Sequence, residues 1–195
     1  LQTEVVLVRH AISVPRTADG PDELTRPLAL DGLRQALALA EPLVVPRPAA
    51  VWSSPYLRAI QTVAPTAHSH GLEVQTRWEL REWDDGLAFT DDWIPHYEHS
   101  WADPSFARPG GESMDQLTGR AVAALRTLAG RYAGKRVLVG SHGTFVSRAL
   151  CGFGAAVDRH FWQHMPMPAI YCLRFVAGAQ QPEVTGPGLG GVPLR

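Results

Sequence analysis

Two cysteines in 195 residues, Cys151 and Cys172, are too few for a disulfide framework, and both stand in apolar surroundings where a free buried thiol is the common state. That suits a reducing compartment, and the cytoplasm is the expected location. Charge of one sign is also missing: 18 Lys plus Arg stand against 19 Asp plus Glu. No global field draws the chain to nucleic acid or to an anionic membrane, so any anion site must be a local cluster. No apolar run approaches the roughly 20 residues that cross a bilayer, and the start LQTEVVLVRH lacks the basic stretch that opens a secretory signal. The chain begins at Leu1 and not at Met, which leaves a removed leader open. Internal repeats and sustained low-complexity tracts are absent too. What is present, with 45 % hydrophobic residues, is enough to bury one sizeable core, and a single domain over 1–195 is expected.

The run Glu4-Val5-Val6-Leu7-Val8 is apolar and β-branched without alternation, as in a strand covered on both faces. It runs directly into Arg9-His10. After a loop rich in Pro, Asp and Gly (14–27), Leu33, Ala36, Leu37 and Ala40 recur at helical spacing, and Pro42, Pro46 and Pro48 are expected to end that helix. Ala50 to Ser53 reads as a second strand. Ser54-Pro55 supplies a capping hydroxyl and a proline for the start of a second helix, with Leu57, Ile60, Ala64 and Ala67 as its apolar face.

Leu72 to Thr76 is a plausible short strand. The stretch 83–110, with aromatic residues spread among acids and prolines, reads as a lid-like insertion. Ser113 and Gln116 form a capping-box pattern, and Leu117, Ala121, Ala124, Leu125 and Leu128 carry a helix toward Gly134. Arg136 to Gly140 is another buried strand, delivering Ser141-His142-Gly143, with a helix over Thr144 to Leu150. Ile170 to Val176 closes the pattern, and the tail from 177 is expected to be irregular. Strands alternating with helices imply an α/β, three-layer α/β/α fold with a mostly parallel central sheet, whose ligands bind beyond the carboxyl ends of the strands. Arg9-His10, Ser53-Ser54 and Ser141-His142 all fall at such ends.

A histidine after a strand is commonly structural, but His10 has guanidinium company. Arg9 beside it, and Arg58 in the first turns of the second helix, can clamp phosphate oxygens. A neutral imidazole can attack phosphorus and hold the phosphoryl group, splitting one hard displacement into two easier ones. The cations then stabilise charge on the equatorial oxygens. His142 is the candidate second imidazole, with a backbone-held core histidine as its ordinary reading. The leaving oxygen needs a proton, and Glu82 is the chosen donor, with Glu79, Asp84 and Asp85 as rivals. His96 and His99 are one helical turn apart, yet no partner accompanies them at ligand spacing, so no metal site is expected.

These segments together resemble one family, the histidine phosphatase (phosphoglycerate mutase-like) superfamily. Leu7-Val8-Arg9-His10 resembles its Arg-His signature, and Pro27-Leu28 to Gly32 with Gln35-Ala36 resembles its first helix. The run from Ser53 to Thr62 is similar to its second signature, and Leu80-Arg81-Glu82 with Gly86 to its acid-bearing turn. Pro109 to Ser113 and Val139 to Gly143 are similar to later motifs, in the family's order. The resemblance implies that His10 is the phosphorylated nucleophile, that Arg9, Arg58 and His142 form the phosphate pocket, and that Glu82 is the proton donor. It further implies a small phosphorylated substrate and neither metal nor organic cofactor; a homodimer is left open.

The sequence departs from the family pattern in several places. Ala11 stands where a glycine usually follows Arg-His, and Ile12 and Ser13 replace the commoner acid and hydroxyl residue. Arg16 occupies about the place of an asparagine near the phosphate; it is either an added phosphate-binding cation or a surface residue. Between Glu82 and Gly111 only Arg108 is basic while six acids are present, which favours a phosphatase over a phosphoglycerate mutase-type phosphotransferase. A non-catalytic phospholigand-binding module and a metal-dependent hydrolase are the other readings. The intact nucleophile argues against the first.

Overall fold

The computed structural model describes residues 1–43, 45–190 and 192. Six strands form one sheet: β1 (Gln2–Arg9), β2 (Ala50–Ser53), β3 (Val74–Thr76), β4 (Arg136–Ser141), β5 (Ala169–Val176) and β6 (Glu183–Thr185). Their order is β3-β2-β4-β1-β5-β6. The first four are parallel, with Arg9 opposite Ser141 and Ser53 opposite Gly140, so three strands end level with one another. β5 runs antiparallel beside β1, and β6 antiparallel beside β5.

The unbroken apolar run of β1 has the reason expected of it. Val5 and Leu7 enter one core with helices α4 (Met114–Arg131) and α5 (Gly143–Gly152), while Val6 and Val8 enter another with α1 (Leu30–Leu43) and α2 (Leu57–Ser69). Helices therefore cover both faces of the sheet, giving three layers. α4 carries the capping box in full: Ser113 Oγ accepts the Gln116 N–H at 3.1 Å and Gln116 Oε1 accepts the Ser113 N–H at 2.7 Å. Its expected apolar stripe is buried throughout.

The first two helices differ from the sequence reading in ways that matter for the site. In α1 the buried stripe is Gly32, Ala36 and Leu43, with Leu39 packed beside it, whereas Leu33 and Leu37 are exposed. Gly32 faces inward because a Cβ there would collide with the carbonyl of Ile12, two residues after His10. The helix also runs through Pro42 instead of stopping before it.

α2 starts at Leu57, with Tyr56 before it and no side-chain cap, so Ser54-Pro55 is a turn and not the helix start. The fully buried positions of α2 are Arg58, Ala59, Thr62, Val63, Thr66 and Ala67. Polar residues share the inward face because they serve the strand ends: Thr62 Oγ1 accepts the Ala11 N–H at 3.0 Å and donates to the Arg58 carbonyl at 2.7 Å.

The third strand is shorter than expected, spanning only Val74–Thr76. The stretch 83–110 contains a helix, α3 (Ile94–Ala102), whose Tyr97 and Trp101 pack toward Trp162 of α6 (Arg159–His164). The tail beyond 177 is not wholly irregular, since β6 pairs Val184 with Leu173. No helix among the described residues is long and apolar enough to cross a membrane.

Candidate active site

His10 follows β1, and its backbone N–H extends the ladder to the Ser141 carbonyl at 2.9 Å, which fixes where the side chain leaves the sheet. The imidazole is buried, with Nδ1 2.7 Å from the Ala11 carbonyl oxygen. A carbonyl only accepts, so Nδ1 carries the proton and Nε2 keeps its lone pair. The Arg58 Nε–H points at that lone pair from 3.3 Å. Burial first, then the Arg58 charge, hold the His10 pKa down to about 3, so the ring is neutral near pH 7.

Arg58 is itself buried, with its Nη1 donating to the Glu23 carbonyl at 2.7 Å and its guanidinium over the Tyr56 ring at 5.1 Å. His142, at the end of β4, is fully buried, with its ring 5.2 Å from that of His10, edge to face. Its Nε2 lies 2.8 Å from the Ser54 hydroxyl, while Nδ1 is buried without a partner. Burial, then Arg58 and His10, push its pKa well below that of an ordinary histidine.

Arg9 is placed differently from the other cations. Its Nη1 donates to the carbonyls of Met165 and Pro166, and its guanidinium packs against Gly143, where a Cβ would sit 3.1 Å from Nε. That Nε is buried and unpaired.

Glu82 lies after a 3-10 turn (Trp78–Leu80), and its carboxylate sits at the N-terminus of α5. Oε1 accepts the N–H groups of Trp83 at 2.9 Å and Phe145 at 3.0 Å, and Oε2 accepts that of Thr144 at 3.2 Å. Burial nevertheless outweighs these bonds and raises its pKa above the usual glutamate range. Among its rivals, Glu79 turns away to Arg77, at 3.5 Å, and Asp84 does not reach the cavity that His10 and Glu82 line. Asp85 does line it.

That cavity, of about 470 Å³, also holds a charged pair that sequence reasoning did not single out, Glu23 and Arg26, beside Ser13. Glu23 Oε2 accepts from Arg58 at 2.9 Å and from Arg26 at 3.0 Å, and its Oε1 accepts from Arg26 at 3.1 Å. Arg16 Nε reaches the same Oε1 at 3.5 Å. Arg26 is braced by Ser13 Oγ at 2.6 Å and the Val14 carbonyl at 2.9 Å. Burial pulls the Glu23 pKa up, but the hydrogen bonds from Arg26 and the charges of Arg58, Arg26 and Arg16 together bring it below the usual value.

Arg16 thus belongs to the cluster, although its side chain is 42 % exposed. The spacing of Glu23 and Arg26 hinted at a local ion pair. Only the closure of loop 13–28, tied by the Ser13–Leu28 bridge and by Gln61 Oε1 accepting the Leu28 N–H at 2.8 Å, brings that pair over the strand ends.

A second depression, of about 550 Å³, lies near Trp101, Arg148 and Arg159, where the two guanidiniums are paired with Asp115 and Glu98. Among the described residues no three metal-ligating side chains come together, so His96 and His99 meet no further ligands; the His99 ring meets Phe106 edge to face at 4.5 Å.

An unprotonated imidazole nitrogen at a strand end, beside several guanidiniums over a largely parallel sheet, is the geometry of an α/β protein with a site suited to an anion. Residues 5–185 match the model of the histidine phosphatase superfamily (branch 1), and the chain belongs to that family. It is 34 % identical over 154 residues to a metal-independent phosphoserine phosphatase of Arabidopsis thaliana, covering 72 % of this chain and 64 % of that protein. The chain thus spans slightly under two thirds of that relative's length. In structure it resembles YhfR of Bacillus stearothermophilus (TM-score 0.80, 23 % identity, 95 % and 96 % of the two chains covered). It also resembles a phosphoglycerate mutase from Bacillus anthracis (TM-score 0.74, 16 % identity, 96 % and 93 % covered).

Proposed function

We propose that the protein hydrolyses small phosphomonoesters through a phosphohistidine at His10, without a metal. The observation that carries this reading is the His10 tautomer: with Nδ1–H given to the Ala11 carbonyl, Nε2 keeps the unprotonated lone pair of a nucleophile, held only by a long 3.3 Å contact from the Arg58 Nε–H, and the residue lines a cavity rich in guanidinium groups. The substrate phosphoryl group binds among Arg58, Arg26 and Arg16. Nε2 forms a bond to phosphorus as the ester P–O bond breaks, and the departing oxygen takes a proton from Glu82, whose raised pKa suits it to that task. In the second step water gives a proton to the Glu82 carboxylate, its oxygen bonds to phosphorus, and the N–P bond breaks to release inorganic phosphate.

With the Ser54 hydroxyl giving its proton to Nε2, the His142 Nδ1–H, which has no partner in the structure, is left to donate to a phosphoryl oxygen. Arg9 acts from behind, holding the Met165-Pro166 segment against the start of α5 and adding positive charge near Glu82. The phosphoserine phosphatase of Arabidopsis supports a small phosphorylated substrate.

Hydrolysis is favoured over transfer to a second phosphorylated molecule because the one basic residue between Glu82 and Gly111 is engaged elsewhere. Arg108 donates to the His96 carbonyl at 2.9 Å and to Ser100 Oγ at 3.2 Å. Two free thiols suit a cytoplasmic setting.

The test is turnover of p-nitrophenyl phosphate with and without chelator, alongside His10→Ala. Activity is expected to survive chelation and to vanish in the variant while the circular dichroism spectrum is kept. Loss on chelation, or a tenth of wild-type rate in His10→Ala, overturns the reading.

A further inference from the structure

The cavity has two ends of opposite character. One is the cationic floor already described. The other is built by the 83–110 stretch and α6, where Asp85, Asp91, Trp93, Tyr97 and Trp162 line the wall above His10. Trp93 stands nearly perpendicular to Trp162, at 82° and 6.3 Å between ring centroids, and to Tyr97, at 79° and 5.1 Å. Perpendicular aromatic faces make a corner, and such corners attract cations through the negative faces of the rings.

Trp93 is 41 % exposed, too wet to be simple core packing. Among the described residues, no lysine or arginine lies within ion-pair distance of Asp85 or Asp91. The Arg108 side chain reaches the Asp85 main-chain carbonyl at 3.3 Å and donates elsewhere. Asp85 lines the same wall as Trp93, Tyr97 and Trp162; burial first, and the Asp85 carboxylate next, push the Tyr97 hydroxyl pKa well above the ordinary tyrosine value. The other cation at the mouth, Arg16, lies over Phe89 at 5.9 Å with its Nε directed to Glu23, on the phosphate side.

We infer that the preferred substrate is a phosphomonoester whose alcohol carries a positively charged amine, protonated or quaternary, with the phosphate on the guanidinium floor and the amine in the corner formed by Trp93, Tyr97 and Trp162 beside Asp85 and Asp91. This rests on the phosphatase reading of the same cavity and names its substrate class. Asp85 Oδ1 accepts the Leu87 N–H at 2.8 Å, which leaves its charge unneutralised; a cation between aromatic faces and carboxylates without a cationic partner gains attraction that a neutral alcohol lacks, and that a leaving group bearing only a carboxylate loses to repulsion.

The test compares kcat/KM for phosphocholine, phosphoethanolamine, phosphoserine, 3-phosphoglycerate and glycerol phosphate, with p-nitrophenyl phosphate as the measure of chemistry. At least one of the two aminoalcohol phosphates is expected to exceed glycerol phosphate by roughly tenfold or more, and 3-phosphoglycerate to fall below it. In Asp91→Asn and Trp93→Leu the ratio of the aminoalcohol ester to glycerol phosphate is expected to collapse toward one. Hydrolysis of p-nitrophenyl phosphate with equal rates on charged and neutral alcohols overturns this inference and leaves the phosphatase reading standing. The same holds if the preference survives both variants. Failure to hydrolyse any ester overturns the phosphatase reading itself.

Discussion

Replacing Glu82 by Gln isolates the proton donor with little structural damage. With the amide oxygen at the Oε1 position, the bonds from Trp83 and Phe145 are kept, and only the Oε2 position turns an NH2 toward the Thr144 N–H, now 3.2 Å from an acceptor. Leaving that one donor unsatisfied costs about 1–3 kcal/mol, so the variant should fold. Its rate effect depends on the leaving oxygen. A simple alkyl phosphate departs as a strongly basic alkoxide and should lose the full contribution of a positioned acid, roughly 100- to 10,000-fold in kcat/KM. An activated aryl phosphate departs as a stable phenolate and should lose less than about tenfold. Steady-state kinetics on one alkyl and one aryl ester, with wild type and Glu82→Gln side by side, give the ratio directly. Equal losses on both esters refute the assignment. So does a selective loss on the alkyl ester in Asp85→Asn, the rival that also lines the cavity.

Arg58→Ala removes a buried, preorganised donor and should cost roughly 3 kcal/mol or more of transition-state stabilisation; vanadate and tungstate should compete with substrate at this pocket, and failure to inhibit at millimolar concentration would falsify the cationic floor. Stability should also depend on pH in a defined direction. The His10 pKa is held at about 3 in the fold, against about 6.5 for a free imidazole. Its contribution is therefore complete above about pH 6.5 and is lost as pH falls toward 3, at about 1.4 kcal/mol for each unit between the two pKa values. The buried His142 acts in the same direction. Urea midpoints should fall from pH 7 to pH 5, and the slope should be shallower in His10→Ala; a flat profile contradicts the burial argument.

Much of the fold was legible because its signals are local. Val5 to Val8 announced a strand buried on both faces, and the Ser113–Gln116 box marked the start of α4 to the residue. The polar pairs after β1, β2 and β4 indicated one edge, since a parallel sheet brings strand ends together. Less legible was what depends on tertiary closure. An apolar stripe through Leu33 and Leu37 pointed α1 the wrong way, because the decisive contact was Gly32 against a backbone carbonyl, which no hydrophobic pattern encodes. Arg58 was expected at the site, but the polar face that carries it inward, with Thr62 and Thr66, was hidden because the apolar positions Leu57, Ile60 and Ala64 suggested a different face. Glu23 and Arg26 went unnoticed because a loop pair becomes a site only when the loop folds back. The β6 pairing was hidden by its brevity and by the glycines around it.

The carboxylate of Glu23, held by Arg58, Arg26 and Arg16, changes what arrival of a phosphate means. The free protein does not present a hollow of bare positive charge; it carries its own counter-ion on a tether. Ligand entry is then an exchange of anions, in which one carboxylate charge gives way to a phosphoryl group with more charge and more acceptor oxygens. In the free protein the Glu23 carboxylate holds together three guanidiniums that would otherwise repel one another. Under the proposed hydrolysis the tethered carboxylate is already at hand when inorganic phosphate departs, so the cluster it leaves is neutralised and not three uncompensated cations.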